Sequence, residues 1–527
     1  MTSRRAAALL VLVAVLAAGL AAAPTAAAGA AAADDPYVWP VPHERIRAAV
    51  DDVGAIVRRA QRRSGVPGIA VAVVDHGRVV LAKGYGTTNT RDGRRVDADT
   101  AFEVASLSKP IGATVIARIA DREQVAWTDP IVRHLPDFAL SDPYVTEHVT
   151  IEDMYAHRSG LPDHAGDLLE DIGFDRDTVL HRLRFVPLAP FRAEYAYTNF
   201  GIVAGAEAVA AATGTAWGDL SRSVLYRPLG MTHTSSRHAQ FAADPNHADP
   251  HVKVGRRWVA RYDRDADAQS AASGVSSSAR DMGHWLAMLA SGGTWHGRRI
   301  LSQEAMANLG SPRVITGLPT TPAARPEQYS LGFDVGVDAT GRLRMSHSGA
   351  SALGVGTNFS VSPAAGVGIV VLTNAAPVGV AEAIAAEFMD RALIGHATRN
   401  WYAAYRAVFA RLAGPGNSLG DTPPGDPQPA LGNGAYVGTY FNDFYGTLHV
   451  VERDGGLVMQ LGPAPEEFAL RHWTGNTFAY RTRGEHATGT QPVTFTVSGS
   501  RATSVTVGDL DAADGGSAHL GVFTRSG

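Results

Sequence analysis

The sequence predicts an α+β domain followed by a small all-β module of barrel type. Strand-like runs stand at both ends of the longer N-terminal part of the chain, and helical periodicity fills the region between them. A Gly/Pro-rich stretch then separates this part from a C-terminal region of short, regularly spaced strand-like runs. We therefore expect one sheet that joins distant parts of the chain, and a separate β module after it.

The N-terminal part opens and closes with a predicted hairpin. Residues 68–86 read as two strands joined by a turn at 75–77, and residues 356–361 and 366–374 read as a second pair. Between the hairpins, apolar residues recur at helical spacing. The three clearest helices are predicted over 110–125, 201–212 and 281–289.

The C-terminal part begins with an amphipathic helix predicted over 400–413 and a Gly/Pro-rich linker over 414–429. Short runs of β-forming residues follow, with turns between them, as is typical of a small barrel or sandwich. These runs cover 436–440, 446–452, 457–461, 478–481, 492–497 and 504–507. The predicted divisions are a signal peptide (1–33), the α+β domain (34–399), a helix with linker (400–430) and the β module (431–527).

The N-terminal segment has the pattern of a secretory signal peptide. Arg4 and Arg5 precede an apolar run over 6–23, and small residues with A-x-A cleavage options follow as far as Ala33. The alternative is a retained membrane anchor, because the run is nearly long enough to span a bilayer. Its alanine-rich core and the small residues after it favour cleavage. We therefore expect a secreted protein without a stable membrane anchor.

Composition limits the chemistry that the chain can perform. The 527 residues include 47 Lys plus Arg, 51 Asp plus Glu and no cysteine, with a formal net charge of −4. This charge balance gives no electrostatic reason to expect a nucleic-acid partner. The lack of cysteine excludes disulfides, cysteine-ligated metal centres and thiol catalysis. Any catalysis must therefore use Ser, His, Lys, Tyr or carboxylate groups.

A Ser and a Lys lie at the start of the first predicted helix. Ser106 and Lys109 form an S-x-x-K motif between a strand-like run over 101–104 and the helix over 110–125. If the helix begins at Ser106, the two side chains share one face, because residues three apart are neighbours on a helix. The positive helix terminus and the amine would both favour the serine alkoxide. The alternative is an N-capping Ser with a solvated Lys.

A second motif, Tyr197-Thr198-Asn199, lies on a turn before the helix predicted over 201–212. A phenol beside an amine can have its pKa lowered and then act as a general base. The Asn can bind a substrate amide and can also hold the Lys. Taken singly, each of these residues is more often structural.

A third motif, His347-Ser348-Gly349, follows a strand predicted over 342–346. A cation and a hydroxyl on an edge strand could bind a substrate carboxylate, and a Gly lets a substrate backbone approach closely. An ordinary imidazole has a pKa of about 6.5, so His347 is expected to lose its charge between about pH 6 and 8. Substrates with a free carboxylate are therefore expected to bind less well as the pH rises through that range.

Together the three motifs resemble those of the penicillin-recognising serine hydrolases, which include class C β-lactamases, DD-peptidases, D-aminopeptidases and related esterases. The resemblance covers roughly residues 66–393, and the β module resembles the lipocalin-like domain often appended to such enzymes. It implies an antiparallel sheet flanked by helices, an all-helical subdomain and a C-terminal barrel. Three further segments are similar to family segments in order and spacing: 150–162 (TIEDMYAHRSGLP), 228–234 (PLGMTHT) and 274–282 (GVSSSARDM).

The resemblance also implies a role for the residues of the first two motifs. Ser106 is the nucleophile and Lys109 is its activating amine. Tyr197 is the general base and proton shuttle, and Asn199 orients the substrate and the Lys. The family stabilises its oxyanion with two backbone N–H groups, which are predicted here to belong to Ser106 and Ser351.

The third motif departs from the β-lactamase pattern. Class C β-lactamases usually have Lys where this chain has His347, and the H-x-G form resembles DD-peptidases, D-aminopeptidases and several esterases. The resemblance assigns substrate binding to His347, Ser348 and Gly349. It therefore favours a peptidase or amidase over a β-lactamase.

We predict a secreted serine hydrolase that acts through an acyl-enzyme on amide or ester bonds, with a DD-peptidase or D-amino-acid amidase activity favoured. The alternatives are a β-lactamase, a carboxylesterase or acyltransferase (including a penicillin-binding-type peptide cyclase), and a catalytically weak peptidoglycan-binding protein. The Lys–Tyr pair argues against a pure binder, and the export signal argues against a cyclase. The expected partners are small-molecule or peptide substrates, with no nucleic acid, and the expected state is a monomer.

No cofactor is expected, and one possible metal site is set aside. Asp244, His247, Asp249 and His251 lie close together in the sequence. They belong to a loop broken by Pro, which has no helical or strand register to bring their side chains together. We therefore interpret them as residues of a solvated loop.

Overall fold

The computed structural model describes residues 41–319, 321, 324–412, 419–420, 422–512 and 519–526. The predicted signal peptide lies outside these residues, and the predicted linker lies partly outside them. Among the helices of these described ranges, none combines the length and the apolar character that crossing a bilayer requires. The described residues belong to one compact unit.

The α-helices of the described ranges are numbered α1–α15 in chain order. They span His43–Ser64, Ser108–Ala120, Pro143–His148, Ile151–Tyr155, Asp167–Asp171, Arg176–Arg182, Asn199–Thr213, Trp217–Ser221, Arg227–Leu229, His238–Ala243, Ala279–Ala290, Gln303–Gly310, Val380–Ile394, Trp401–Leu412 and Gly508–Ala512. All four helices predicted from the sequence are present, as α2, α7, α11 and α14. Helix α2 ends at Ala120, before the predicted end, because Glu123 takes a left-handed φ of 58°.

Eight antiparallel strands form the main sheet, and we number them β1–β8 in chain order. They span Gly68–Asp75, Arg78–Gly86, Val314–Gly317, Glu327–Tyr329, Asp334–Val337, Leu343–Ser351, Val355–Ser362 and Val367–Thr373. Their order in the sheet is β2-β1-β8-β7-β6-β5-β4-β3. Both predicted hairpins are confirmed, as β1–β2 and β7–β8. Because β1 pairs with β8, the sheet joins the two ends of the domain as expected.

The sheet separates two apolar cores, because side chains alternate across each strand. Ile69 and Val71 of β1 face a core that contains buried residues of α1 and α13. Ala70 and Ala72 face the opposite core, which contains buried residues of α2, α7 and α11. Strand β1, which lies inside the sheet between β2 and β8, is therefore buried on both faces, which explains its nearly continuous apolar sequence.

Helices α2–α9 form the expected helical region between the two halves of the sheet. Helix α7 is mostly apolar, and eleven of its fifteen residues are buried. It packs against α2 and α4. This packing brings the start of α7, where the second motif lies, towards the start of α2, where the first motif lies.

Strand β6 extends further than the sequence predicts, so that the third motif lies inside the strand. It runs through His347 and Gly349 to Ser351, with β7 as its partner along this length. On its other side, β5 pairs with β6 only as far as Ser346. The last part of β6 is therefore an open edge of the sheet, on which a ligand strand could pair.

The C-terminal module is a closed eight-stranded barrel, which confirms the predicted barrel-like domain. The barrel strands are β9–β16, and they span Gly438–Asn442, Gly446–Arg453, Gly456–Leu461, Glu466–Thr474, Thr477–Arg481, Thr490–Ser498, Arg501–Val507 and Val522–Arg525. Six of them were predicted, and β12 and β16 were not. Strand β12 places charged residues such as Glu467 and Arg471 on its exposed face, which weakens the β signal of its sequence.

The barrel lies against the helical region at α5 and α6. The Arg182 guanidinium of α6 donates a hydrogen bond to the carbonyl oxygen of Phe444 in the barrel, at 2.7 Å. A Cβ atom placed on Gly462 of the barrel would lie 2.1 Å from the carbonyl oxygen of Ile172. The two domains therefore approach each other closely on the side of the molecule that carries α5.

Candidate active site

Ser106 lies on a tight turn between a short strand and a helix. The strand Ala101–Glu103 leads into Ala105, which takes a left-handed φ of 48°, and Ser106 lies in the 3-10 turn before α2. A left-handed conformation is uncommon for Ala, and it marks a constrained turn. Ser108 holds this turn: its hydroxyl donates to the Ala105 carbonyl oxygen (2.7 Å) and accepts from the Val275 N–H (3.0 Å).

The Ser106 hydroxyl lies at the centre of a hydrogen-bonded group. Its Oγ accepts hydrogen bonds from Lys109 Nζ at 3.0 Å and from the Tyr197 hydroxyl at 2.7 Å. Lys109 Nζ also donates to Asn199 Oδ1 at 2.7 Å and to the Ala272 carbonyl oxygen at 3.1 Å. The first two motifs, which are 91 residues apart in sequence at Ser106 and Tyr197, therefore meet around one oxygen atom.

Lys109 is completely buried, so the alternative of a solvated Lys is wrong. Burial lowers the pKa of Lys109 to about 7, although the nearby Asp167 and Glu485 carboxylates raise it. Near neutral pH a large fraction of this side chain is therefore a neutral amine. A neutral amine within hydrogen-bond distance of Ser106 can accept the serine proton.

This pKa predicts the acid side of the pH profile. Because the amine must be unprotonated to accept the Ser106 proton, kcat/KM should fall about tenfold per pH unit below about pH 7, where the ammonium form of Lys109 dominates. Initial rates with an uncharged substrate between pH 5 and 9 would measure this limb. The residual activity of Lys109→Ala should lack the limb. A wild-type profile that is flat down to pH 5 would contradict the assignment.

Tyr197 is a neutral phenol in this structure. Burial raises the pKa of Tyr197 above its ordinary value, and the hydrogen bond to Ser106 offsets only part of this effect. The expectation that the neighbouring amine lowers this pKa is therefore wrong, because desolvation dominates. The ring centroid lies 4.4 Å from Lys109 Nζ and 4.6 Å from that of His157. A neutral phenol is better suited to donate a proton than to take the first one.

Asn199 connects Lys109 to a buried carboxylate. Its Nδ2 donates to Asp167 Oδ2 at 2.8 Å, so that its Oδ1 is directed to Lys109. The same Asp167 oxygen lies 2.7 Å from Nδ1 of His164. Burial opposes ionisation, but hydrogen bonds with His164 and His486 hold the pKa of Asp167 well below its usual range. An ionised Asp167 thus determines which end of the Asn199 amide faces the Lys.

Gly349 allows β6 to pass close to the turn that carries Ser106. A Cβ atom at this position would lie 2.3 Å from the Val104 carbonyl oxygen and 2.2 Å from Thr357 Oγ1. Thr357 Oγ1 donates to the same Val104 oxygen at 2.8 Å, which ties β7 to the turn as well. The space that Gly349 leaves is therefore filled by the protein's own backbone.

This close packing predicts that Gly349→Ala lowers stability by about 1–3 kcal/mol, the usual cost of overpacking a core, and also slows reaction at Ser106. Thermal unfolding and the rate of fluorophosphonate labelling would measure the two effects. Gly336→Ala, in the neighbouring strand β5, is the matched control, because a Cβ there would meet nothing nearer than 3.8 Å. Equal behaviour of the two variants would contradict the packing role.

His347 is buried and already hydrogen-bonded on both sides. Its Nδ1 donates to the Ser348 carbonyl oxygen at 2.6 Å, and its Nε2 accepts from the Tyr329 hydroxyl at 2.9 Å. Burial lowers the pKa of His347 to about 3, and the nearby Lys109 acts in the same direction. The expectation that His347 loses its charge between pH 6 and 8 is therefore wrong. In this structure neither ring nitrogen is left to hold a substrate carboxylate.

The Ser348 side chain lies on the opposite face of β6 from His347. Its Oγ accepts from Asn358 Nδ2 at 3.1 Å and hydrogen-bonds with the Glu382 carboxyl of α13. The structure therefore does not bring this hydroxyl to the nucleophile. Of the third motif, only the backbone of β6 at Gly349 lies beside the Ser106 turn.

The backbone direction of β6 selects the amide that faces the open edge. The carbonyl oxygens of His347 and Gly349 accept hydrogen bonds from side chains of β7, so alternate residues from His347 onwards direct their backbone groups towards β7. Ser351 belongs to this set, and its Oγ accepts from the Leu353 N–H at 3.2 Å. Ala350 belongs to the other set. Its N–H, and not that of Ser351, is directed to the open edge.

Three side chains around the site are not part of the sequence motifs: Asp167, Tyr329 and His486. Asp167 follows His164 by three residues. This spacing, which can bring a carboxylate and an imidazole together, is the one feature of the sequence that indicates a role for Asp167. Tyr329 and His486 come from a separate strand and from the barrel. Nothing in their local sequence distinguishes them from ordinary residues.

The segment that contains Asp244, His247, Asp249 and His251 does not bring these four side chains to one point. His247 lies 3.4 Å from Asp249, whereas His251 hydrogen-bonds to the Asn374 carbonyl oxygen at 3.1 Å. His251 is fully buried and begins a short strand, His251–Val254, so its interpretation as a residue of a solvated loop is wrong. Within the described ranges, the groups of His and carboxylate side chains close enough to share an ion are His43 with Asp75 and His76, and His164 with Asp167 and His486.

Comparison with known families assigns both parts of the chain. The family described as Beta-lactamase matches residues 47–394, which is more than half of the chain. The chain belongs to the beta-lactamase family. The barrel corresponds to a second match, a domain of unknown function (DUF3471), over residues 422–515. The resemblance stated from the sequence motifs is therefore confirmed.

Two relatives of this β-lactamase-family chain carry the names of hydrolytic enzymes. Unguisins hydrolase ungD of Aspergillus violaceofuscus is 27% identical over 423 residues, covering 73% of this chain and 74% of that protein. The D-alanyl-D-alanine-carboxypeptidase/endopeptidase AmpH of Escherichia coli is 26% identical over 228 residues, covering 42% of this chain and 57% of that protein. The fold is similar to an octameric penicillin-binding protein homologue from Pyrococcus abyssi, with a TM-score of 0.58, 17% identity, and coverage of 87% of this chain and 98% of that one.

Proposed function

We propose that this β-lactamase-family protein hydrolyses amide bonds of peptides through an acyl-enzyme on Ser106, with a D-amino-acid amidase or DD-peptidase type of activity. The observation that carries the proposal is the pair of contacts at one serine oxygen. A buried amine with a pKa near 7 lies 3.0 Å from it, and a neutral phenol lies 2.7 Å from it. This arrangement provides both a base for the nucleophile and a proton donor for the leaving group.

In the first half of the proposed reaction, Ser106 Oγ attacks the substrate carbonyl carbon and its proton passes to the Lys109 amine. The N–H groups of Ser106 and Ala350 stabilise the resulting oxyanion. The carbon–nitrogen bond then breaks, and Tyr197 donates a proton to the departing amine and is reprotonated from the Lys109 ammonium. In the second half, a water molecule attacks the acyl ester and its proton returns through the same groups, so that Ser106 is released.

The state of His347 supports uncharged substrates over substrates with a free carboxylate. Its two ring nitrogens are occupied by Ser348 and Tyr329, and its pKa of about 3 leaves it without charge at neutral pH. A neutral imidazole that is already hydrogen-bonded is a poor anchor for the carboxylate that penicillins and carboxypeptidase substrates carry. We therefore favour the amidase over the carboxypeptidase and the β-lactamase.

A matched substrate pair tests this choice. We would measure kcat/KM for a D-alanine-terminated peptide with a free C-terminal carboxylate and for the same peptide with a C-terminal amide, together with a short ester of the same acyl group and a chromogenic cephalosporin. The amide should be hydrolysed at least about tenfold more efficiently than the acid, which corresponds to about 1.4 kcal/mol of transition-state binding. A preference for the acid would contradict the choice of the amidase over the DD-peptidase. Efficient cephalosporin turnover, or a preference for the ester over the amide, would contradict the proposal as a whole.

We also propose that the protein acts after export and as a monomer. The basic, apolar and small-residue pattern of residues 1–33 supports cleavage and secretion. Expression in a secreting host, followed by mass spectrometry of the N-terminus and light scattering of the purified protein, tests both points. A protein that keeps its first residues in the membrane fraction, or that forms a stable oligomer, would contradict them.

A further inference from the structure

One loop of the barrel reaches the catalytic domain beside the active site. It joins β13 to β14, and the backbone N–H groups of Glu485 and His486 both donate to the Asp171 carboxylate of α5, at 3.1 and 2.9 Å. Gly484 takes a φ of 92°, and a Cβ atom there would lie 2.5 Å from Asp171 Cγ. A side chain at Gly484 would therefore prevent this approach, so the loop is fitted closely to α5.

The His486 side chain extends the contact towards the nucleophile. Its Nδ1 lies 3.0 Å from Asp171 Oδ2, and its Nε2 lies 3.3 Å from Asp167 Oδ2. The same Asp167 oxygen accepts from Asn199 Nδ2, and Asn199 Oδ1 accepts from Lys109 Nζ. A continuous series of polar contacts therefore leads from the barrel through two side chains to the amine beside Ser106.

His486 is a cation in this setting. Burial opposes the charged imidazolium, but contacts with Asp167 and Asp171 outweigh burial and raise the pKa of His486 to about 11. Asp167 itself is ionised and almost completely buried. An ionised carboxylate near Lys109 favours its ammonium form, whereas the nearby Arg264 guanidinium lowers the pKa of Lys109. A positive charge on His486, in contact with Asp167, acts in the same direction as Arg264 because it offsets the charge of that carboxylate.

The other charged groups around this contact form a second ion pair across the same interface. Arg264 of the catalytic domain lies 2.5 Å from the Glu485 carboxylate of the barrel and 2.8 Å from the Glu170 carboxyl of α5. Burial raises the pKa of Glu170 to about 7, although Arg264 lowers it. The titratable and charged groups that surround His486 are therefore Asp167, Asp171, Glu170, His164, Glu485 and Arg264.

We propose that the barrel completes the active site: its His486 holds the Asp167 carboxylate and, through Asn199, positions Lys109 for reaction with Ser106. His486 is a positioning residue, since it acts on the reacting atoms through two other side chains. Its positive charge also keeps the surrounding carboxylates from stabilising the Lys109 ammonium. This inference rests on the proposed function of Ser106, and it gives a role to a module that matches a domain of unknown function.

The test is the pH dependence of Ser106 labelling by a fluorophosphonate in the full-length protein, which needs no knowledge of the substrate. His486→Gln keeps a hydrogen-bond donor but removes the charge. The acid limb should move upwards by about one pH unit, because one nearby charge is lost at an effective dielectric constant of about 20. Labelling should be about tenfold slower than wild type at pH 6 and equal to it at pH 9. A uniform loss at all pH values, or an unchanged limb, would overturn the proposal.

A second variant in the same loop should have the opposite effect. Glu485→Gln removes a carboxylate that raises the pKa of Lys109, and it leaves Arg264 with less negative charge nearby, so the acid limb should move to lower pH. If the substitutions merely loosened the loop, the acid limb of labelling would move in the same direction in both variants. An electrostatic role requires the limb to move in opposite directions. If His486→Gln fails to fold, Glu485→Gln still tests the proposal. An acid limb of Glu485→Gln that is unshifted, or that moves to higher pH, would overturn the proposal.

Arg182→Ala is the matched control for the interface. Arg182 joins the same two domains by its hydrogen bond to Phe444 but takes no part in the charged group around His486. The thermal midpoint should fall while the acid limb stays in place, and a limb that moves with this variant would overturn the proposal. If wild-type protein is not labelled at Ser106, the proposed function itself fails. If Ser106 is labelled but the two loop variants do not shift the limb in opposite directions, only the present inference fails.

Discussion

Ser106→Ala is expected to lower kcat by at least about 10⁴-fold and to abolish labelling of the protein by a fluorophosphonate. The reason is that Ser106 Oγ is the atom to which both Lys109 and Tyr197 direct their hydrogen bonds, so no nearby group can replace it. Intact mass spectrometry should show one adduct on the wild-type protein, and peptide mapping should place it on Ser106.

The control for this experiment is Ser311→Ala. Ser311 Oγ is exposed and donates only to the Ala307 carbonyl oxygen, so its loss should leave labelling and turnover unchanged. Undiminished labelling of the Ser106→Ala variant, or an adduct mapped to another residue, would show that the nucleophile is misassigned. Circular dichroism of both variants should match the wild type, because alanine is tolerated sterically at each position.

Lys109→Met and Tyr197→Phe are each expected to lower kcat by about 10²–10⁴-fold, the usual range for a general acid–base group. Methionine retains the volume of the buried Lys109 side chain but provides no base, and phenylalanine removes only the hydroxyl that donates to Ser106. Burst kinetics would separate acylation from deacylation in each variant. Both steps should slow, since the proposed proton path serves both.

The double variant distinguishes a shared proton path from two independent effects. If Lys109 and Tyr197 act together on the Ser106 proton, the loss in the double variant should be far smaller than the product of the two single losses. Thermal unfolding serves as the control, because a buried Lys and a buried Tyr also contribute to packing. Multiplicative losses in kcat would show that the two residues act separately.

The order of the motifs along the chain was sufficient to predict the family, the fold class and the central contact of the site. S-x-x-K places Ser106 and Lys109 one turn apart, and their contact depends only on local geometry. Tyr197 and Asn199 stand at the beginning of a buried, Ala-rich helix whose apolar sequence requires burial on all sides. Helix packing then brings the second motif to the first without any specific signal being needed in the sequence.

The roles of the third motif could not be predicted in the same way. A short motif contains no information about which side chains from other parts of the chain will contact it. In the folded chain the Tyr329 hydroxyl donates a hydrogen bond to His347 Nε2. The expectation that His347 titrates near pH 6.5 rests on the pKa of a solvated imidazole. Burial lowers the pKa of His347 to about 3. The choice between Ala350 and Ser351 depends on the pairing of β6 with β7, which is a property of the assembled sheet.

The sequence by itself determined those features that depend on local spacing and periodicity: the two hairpins and the three clearest helices of the sheet domain, the serine–lysine pair and the existence of a β module. Only the tertiary structure decided the charge states and the long-range partners. Desolvation depends on every atom around a group, and a contact such as that of His486 with Asp167 joins residues from two domains. For this reason the motifs predicted the nucleophile, whereas the contact of the barrel with the residues around the nucleophile could be identified only in the folded chain.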